Sequence, residues 1–375
     1  MNVPSAGGPV PGSTLVVRDL LRLAAGLIVG GIALWLALRG AAVGGLRSAL
    51  ERADPFWILL AVGSVVLTLA VAVVRWRVLF HPGSAGLSWG NLTAAFLVGQ
   101  MLNIMLPLRL GELARAYWLS RSESIPIGRT LGTVGVEKLA DVAGIGLAAV
   151  ALLVLAAVPP WVQSPGRVLV VTGGLAAAAM LFLTASRRWI LLAASRAAQR
   201  WPQPVGRRMI DLVETILQGS RAVDSWKASA GIGLLTILVP LLAASTNYLL
   251  FVAFRLSLPP VAALLLLISL QVANTVVSVP GNIGVFHYVT VLTLGAYSVD
   301  HDAALAYAIV LYIVALVPKI FAGTVLVVCA PREMIAGLFA WRRAGGAVSP
   351  AGSCSGRTTK RSSSSAIWPR SLPPS

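Results

Sequence analysis

The sequence predicts an all-α integral membrane protein with about six spanning helices, two re-entrant broken hairpins and an inverted 3+3 repeat. Three observations carry this expectation: apolar runs of membrane-crossing length, arginines gathered between those runs, and two matching interruptions within apolar segments. Of 375 residues, 57% are hydrophobic and 11% charged, and the mean hydropathy is +0.84. A soluble domain carries about a quarter charged residues, whereas an apolar helix of about 20 residues crosses a bilayer. Six runs read as spans, at 20–38, 56–74, 137–157, 167–185, 229–253 and 303–329. The net charge of +17 is almost all arginine. Because it lies between apolar spans, it points to cytoplasmic loops beside anionic lipid rather than to nucleic acid.

The two interruptions share a spacing. QMLNIMLPLRLGELARAYWL begins at Gln100 and QVANTVVSVPGNIGVFHY at Gln271. In each, Gln is followed three residues on by Asn (Gln100/Asn103, Gln271/Asn274), then by a proline (Pro107, Pro280) and a glycine four residues later (Gly111, Gly284). A polar residue follows: Glu112 at once in the first copy, His287 three residues on in the second. Paired Gly/Pro-broken apolar segments in the two halves of a membrane protein mark a transport site.

Charge sets the expected orientation. Loop 186–227 carries Arg187, Arg188, Arg196, Arg200, Arg207, Arg208, Arg221 and Lys227 against Asp211, Glu214 and Asp224. Its apolar pattern suits helices lying on the membrane surface, and the positive-inside rule makes it cytoplasmic. Counting back, span 56–74 ends inside at Arg75 and Arg77, and span 137–157 starts inside near Arg129 and Lys138. The first broken segment therefore enters and leaves from the cytoplasmic face. Counting forward, the segment 259–298 enters and leaves from the outer face. Both termini are expected in the cytoplasm. Repeat one covers about 20–157 and repeat two about 167–330, within a membrane domain of 18–344. Residues 1–17 and 345–375, rich in Gly, Pro and Ser, read as disordered. Arg39, Arg47 and Arg52 fall on the first outer loop, against the rule. The two cysteines, Cys329 and Cys354, have no metal or disulfide spacing, so no metal and no cofactor are expected.

The elements PLRLGELARAYWL and TVGVEKLAD, with PGNIGVFHYVTVLTLGAYSVDHDAALAYAIVLY in the second half, resemble the transmembrane region of lysylphosphatidylglycerol synthases. The match runs from about residue 20 to 335, through Gly111–Glu112–x–x–Arg115, Val136–Glu137–Lys138–x–x–Asp141 and Pro280–Gly281–x–x–Gly284. The resemblance implies a flippase-like membrane domain, moving lipid rather than making it, since no soluble aminoacyl-transferase domain is evident. The chain departs from the family's pattern at His287, where an acidic residue is common, and at Tyr312, where an arginine is frequent, with Lys319 nearby.

Several polar residues keep two readings open. Glu112 and Arg115, three apart, share a helix face. They form either a self-neutralising interfacial pair or a site in which Arg115 or Arg109 holds a lipid phosphate, whose oxygens suit a planar guanidinium. Glu137 reads as a first-turn acid favoured by the helix dipole. Asp141, one turn deeper, reads as a head-group or proton partner. Lys138 reads as an interfacial anchor. His287 is either a proton-linked group or a buried structural histidine. Lys319 either pairs with Glu112 or Asp141 or reaches towards the inner surface. Gln100, Asn103, Gln271 and Asn274 either bond between helices or line a shared cavity with the breaks at Pro107, Gly111, Pro280 and Gly284. Asp300 and Asp302 read as caps of the last span.

The leading functional expectation is a translocator of an anionic or polyprenyl-linked lipid, its partner being a membrane phospholipid or polyprenyl-phosphate lipid. The alternatives are a membrane-embedded glycosyl or acyl transferase, and a scaffold for a lipid- or envelope-modifying enzyme.

Overall fold

A computed structural model of the chain describes residues 28–106, 110–155, 160–199, 203–219, 221–276 and 280–329. The expectations for both termini, and those for Pro107 and Arg109, fall outside these residues. Every described element is helical: α1 (Ile28–Leu38), α2 (Val43–Arg52), α3 (Pro55–Val78), α4 (Trp89–Met105), α5 (Gly111–Ser122), α6 (Ile127–Leu155), α7 (Pro160–Ala185), α8 (Arg187–Ala198), α9 (Gln203–Gln218), α10 (Trp226–Ala253), α11 (Pro260–Val276), α12 (Val285–Gly295) and α13 (His301–Val328).

By length and apolarity, α3, α10 and α13 qualify as membrane spans among the described residues, and a fourth span is possible if α1 and α2, bent by 83°, count as one. Of the expected run 20–38, the described part, Ile28–Leu38, is one arm of this bent pair. The expected span at 137–157 belongs to a longer helix, α6, which begins at Ile127. Its first half carries Arg129, Glu137, Lys138 and Asp141, which leaves only the stretch after Asp141 free of charge. The spans turn large apolar side chains outward, as at Leu59 (69% exposed), Leu234 (67%) and Phe321 (70%). That surface suits lipid and not water.

α3 and α10 form the centre and run antiparallel. The amide of Asp54 donates to the carbonyl of Ala253 at one end, and Gly231 faces Val78 at the other. Between them the Ser64 hydroxyl donates to the Leu242 carbonyl (3.1 Å) and accepts from Thr246 (3.0 Å). Asp54 caps α3 through the Phe56 amide (2.9 Å) and Pro55 occupies its first turn, a placement where proline loses no helical hydrogen bond. α6 and α7 form a second antiparallel pair, crossing at Gly146 and Gly173.

α4 and α5 fold back on each other as the first hairpin. Its two ends meet where Glu123 accepts from the Ser88 amide (3.3 Å) and the Asn91 side chain (2.7 Å). Its arms touch at Gly99 and Gly111: a Cβ on Gly111 would collide with the Gly99 carbonyl and stand 2.6 Å from the Asn103 amide nitrogen. The second hairpin, α11 and α12, turns through Pro280–Asn282, with Gly281 (φ 65°) and Gly284 (φ 86°) in the left-handed region. At Gly284 the backbone of α1 at Gly30 fills the place of a side chain.

α9 is strongly amphipathic and lies across the start of α6, where Gly128 meets Thr215 and Gly132 meets Ile216. Trp189 on α8 and Val205 and Leu212 on α9 are exposed, as expected of helices lying on a membrane surface.

The contact at Gly111 yields a test. Gly111→Ala should cost about 1–3 kcal/mol through overpacking. Gly63→Ala, where nothing lies within 4 Å, should be neutral or slightly stabilising. Thermal unfolding in detergent micelles separates the two; equal midpoints would contradict a close hairpin.

Candidate functional site

Six charged side chains from α3, α5 and α6 form one chain of contacts. Arg115 donates from Nη1 to Oε1 of Glu137 (3.2 Å), while its Nη2 lies 2.9 Å from Oε2. Arg75 reaches the same carboxylate at 3.7 Å and makes a short ion pair with Asp141. Lys138 bridges Asp141 (3.1 Å) and Glu112 (3.2 Å). Three cations meet three anions, so the set is neutral.

Sequence places them there for plain reasons. Glu137, Lys138 and Asp141 fall on adjoining faces of α6 over little more than one turn. Glu112 and Arg115 sit at the start of α5, just beyond the break. Arg75 and Arg77, two apart on α3, point to opposite sides. Arg77 turns to the Leu87 carbonyl (2.6 Å) and the Trp89 ring (4.2 Å), and Arg75 turns inward.

The network has a dry end and a wet end. Arg75, Arg115 and Glu137 are 2–3% exposed, against 20% for Glu112, 28% for Asp141 and 37% for Lys138. At the dry end Trp76 and Phe96 cover the Arg115 guanidinium, at 4.9 and 5.4 Å. The Trp76 indole donates to Thr133 (3.3 Å). Nε of Arg75 and of Arg115 is buried without a hydrogen-bond partner among the described residues. Such an atom ordinarily holds a water or awaits a ligand oxygen.

Several readings change here. Glu112 and Arg115 do not pair with each other: the turn of α5 sends Glu112 to Lys138 and Arg115 to Glu137. Glu137 is not a first-turn acid, because α6 starts ten residues earlier. Lys138 is a bridge between two acids and not only an interfacial anchor. Lys319 pairs with neither Glu112 nor Asp141, whose partners are Lys138 and Arg75. Arg75 is the residue that sequence reasoning missed, having read it only as a flank charge. The available signal was its spacing from Arg77: one lipid-facing arginine can reach the surface, but a partner on the opposite face must find an acid.

The remaining candidates lie at the breaks. Gln100 and Asn103 are half-buried on α4, and Gln271 and Asn274 on α11. Asn103 and Asn274 each stand two residues before the end of their described helix. Oδ1 of Asn103 has no partner among the described residues. The turn Pro280–Asn282 packs against α4, which brings the two hairpins together. The Tyr312 hydroxyl donates to the Gly281 carbonyl (2.8 Å). The ring of His287, 8% exposed, lies 4.9 Å from that of Tyr312. Asp300 caps α13 through the amides of Asp302 and Ala303.

Long apolar helices, an outward apolar belt and a charge network buried among them at one end define an integral membrane protein with broken helices. The chain belongs to the lysylphosphatidylglycerol synthase TM region family, which matches residues 23–323. It is also similar to two curated proteins over shorter stretches. One is the glycosyltransferase AglD of Haloferax volcanii, 32% identical over 111 residues (29% of this chain, 18% of that protein). The other is a UPF0104 membrane protein of Methanocaldococcus jannaschii, 30% identical over 92 residues (24% and 27%). The aligned stretches thus span less than a third of either relative.

Removing one partner from the dry end should be severe. Glu137→Gln leaves Arg75 and Arg115 facing each other without their shared anion. It should cost about 3–5 kcal/mol, the range for a broken buried pair. Lys138→Gln, at the wet end, should cost less than about 1 kcal/mol. Equilibrium unfolding in micelles measures both, and the opposite order would contradict the burial gradient.

Proposed function

We propose that the chain moves a phosphate-bearing lipid between membrane leaflets, the head group passing between the two hairpins while the acyl or prenyl tails stay in the bilayer. The observation that carries the reading is the meeting of the two broken hairpins beside a neutral charge network with one accessible end. Membership of a family named for a lipid synthase's transmembrane region agrees with it.

The reading takes the two halves as an inverted repeat of six spans, α7 being the counterpart of the broken first element. Helix lengths support this: α3, α4, α5 and α6 have 24, 17, 12 and 29 residues, and α10, α11, α12 and α13 have 28, 17, 11 and 28. Packing follows the same correspondence, since α4 against α13 is matched by α11 against α6, and α13 against α3 by α6 against α10. The first hairpin begins beside the C-terminal end of α3. The second begins beyond the C-terminal end of the antiparallel α10. At about 1.5 Å per residue the two bases stand about 36 Å apart, more than the roughly 30 Å of a hydrocarbon core. Inverted repeats place their substrate near the midplane and alternate access by rocking.

In this account Arg115 positions the first hairpin, because its guanidinium is already engaged by Glu137. The head group meets the wet end. A lipid phosphate competes with Glu112 and Asp141 for Lys138, and a head-group amine competes with Lys138 for the two acids. A head group that carries both a phosphate and an amine makes the two exchanges together and keeps the network neutral, so no charge is left bare in a poorly solvated place. The likeness to a glycosyltransferase supports a second reading, in which the domain serves sugar transfer as enzyme or scaffold.

Proteoliposomes holding a fluorescent phospholipid or polyprenyl-phosphate lipid, with a quencher added outside, test the proposal. The protein should speed loss of inner-leaflet label at least about 10-fold over empty vesicles. Asp141→Asn and Lys138→Gln should each lower that rate about 10-fold, the loss of one charge-assisted contact. Rates unchanged by both variants would remove the wet end from the pathway. Sugar transfer to a lipid acceptor in detergent, with no flipping, would favour the second reading.

A further inference from the structure

The proposed pathway makes no use of α8 and α9. The chain reaches them from the end of α7 and leaves them for α10, a helix of membrane-crossing length. The first residues of α10, Trp226 and Lys227, are both exposed. A tryptophan and a cation at the end of a span mark the membrane interface, so the pair lies beside the bilayer surface.

One face of α9 is apolar and open. Val205, Leu212 and Ile216 are exposed and Met209 is half-buried. At 100° per residue these four fall within about 60° of one another. The exposed Arg207, Asp211 and Glu214 lie on the far side, more than about 120° from the middle of the stripe. On α8 the exposed residues Trp189, Leu192 and Arg196 also share an arc of about 60°. Residues 186–227 hold eight basic side chains against three acidic ones. An open apolar stripe backed by a polar face, in a segment with excess positive charge, fits an anionic lipid surface and not water.

A neighbouring side of α9 is joined to α6 with almost no side chain between them. A Cβ on Gly132 would collide with the Ile216 carbonyl, and one on Gly219 with the backbone of Gly132. A Cβ on Gly128 would meet the Thr215 hydroxyl. Ile216 thus rests its backbone on α6 and turns its side chain into the open stripe. Close-packed backbones transmit a shift and do not absorb it. Elsewhere on α6, Arg129 fastens the same segment to the carbonyls of Phe80 and Pro82 (2.9 Å each). Glu137 and Lys138 follow Gly132 by little more than one turn, about 8–9 Å along the helix.

We infer that the α8–α9 pair docks on the anionic head groups of the adjoining leaflet, and that this docking holds the start of α6 and so the geometry of the charge network. The lipid here is the membrane surface and not the moved molecule, so the docking stands apart from the translocation reading. With the stripe seated in the interface, α9 fixes Gly128 and Gly132 from one side while Arg129 fixes the segment from another. With the stripe in water, the first of these restraints is lost and the charged half of α6 is held by its ion pairs and Arg129 alone.

The test follows backbone hydrogen exchange of the full chain in nanodiscs of phosphatidylcholine, alone or mixed with phosphatidylglycerol. Phosphatidylglycerol should slow exchange of α9 and of 128–137 about 10-fold, on the scale of the attraction of a pair of basic residues to an anionic surface. Exchange of α11 should not change. Arg196→Gln combined with Lys227→Gln should reduce the effect below about threefold. Leu212→Glu, which sets an anion on the stripe, should abolish it. Both variants alter exposed side chains. Lys138→Gln, which removes the cation of the wet end, should keep the effect in full. Equal exchange in the two kinds of nanodisc would overturn the docking, as would an effect that both surface variants retain, or one spread equally over α11. Loss of the effect in Lys138→Gln alone would assign it to lipid held by the network. Slowing by millimolar inorganic phosphate in phosphatidylcholine nanodiscs would assign a free anion instead. Because the readout is exchange, the slowing stands even if the protein proves unable to flip lipid, and flipping with no such slowing removes the docking and leaves translocation intact.

Discussion

The paired contact between Arg115 and Glu137 joins the first hairpin to α6 with both charges almost wholly out of water. Neither group could occupy that place alone, since an isolated charge in a poorly polarisable interior costs several kcal/mol. The contact therefore dictates much around it. α5 must present Arg115 inward one turn after the break, and Gly99 must lack a side chain so that the arginine's own carbons can pass, at 2.8 Å from where a Cβ would stand. Trp76 and Phe96 must close over the guanidinium. Arg75 then balances the carboxylates of Glu137 and Asp141 from the third helix. Hairpin, central helix and α6 are thus held by one set of charges.

On the proposed inverted repeat the two halves share a backbone plan, and they differ in chemistry. The first hairpin is tied by ions, which are directional and hold it at a set angle. The second is tied by apolar packing of Phe286, Leu266 and Leu311, by the Tyr312 bond to Gly281, and by the glycine contact at Gly284. Apolar surfaces slide at less cost than ion pairs separate. On the proposed pathway the second hairpin is accordingly the more mobile gate and the first the more rigid binding wall.

Much of this was legible in the sequence. The all-helical membrane class followed from hydropathy, and the two broken hairpins from the spacing of Gln, Asn, Pro and Gly. The capping role of Asp300 followed from its place before an apolar run. What could not be read was pairing. Glu112 and Arg115 are neighbours along one helix, and sequence spacing favours joining them. Their real partners, Lys138 and Glu137, stand on another helix, and only the angle between α5 and α6 decides that. Arg75 was hidden for a similar reason: a charge at the end of an apolar run looks like a loop flank until its face of the helix is known. Helix limits also shifted where charge interrupts hydropathy. α6 continues through four charged residues, because those charges neutralise one another or bind carbonyls and do not need water.

The functional account depends on the two hairpins entering the membrane from opposite faces and meeting within it. Sided labelling tests this most directly. In a chain with Cys329→Ser and Cys354→Ser, single cysteines would replace Ser88, at the base of the first hairpin, and Ser257, at the base of the second; both are exposed. A membrane-impermeant maleimide applied from each side in turn, to oriented vesicles, should label Ser88→Cys from the cytoplasmic face alone and Ser257→Cys from the outer face alone. Labelling of both from the same face would contradict the inverted arrangement and, with it, the proposed path between the hairpins.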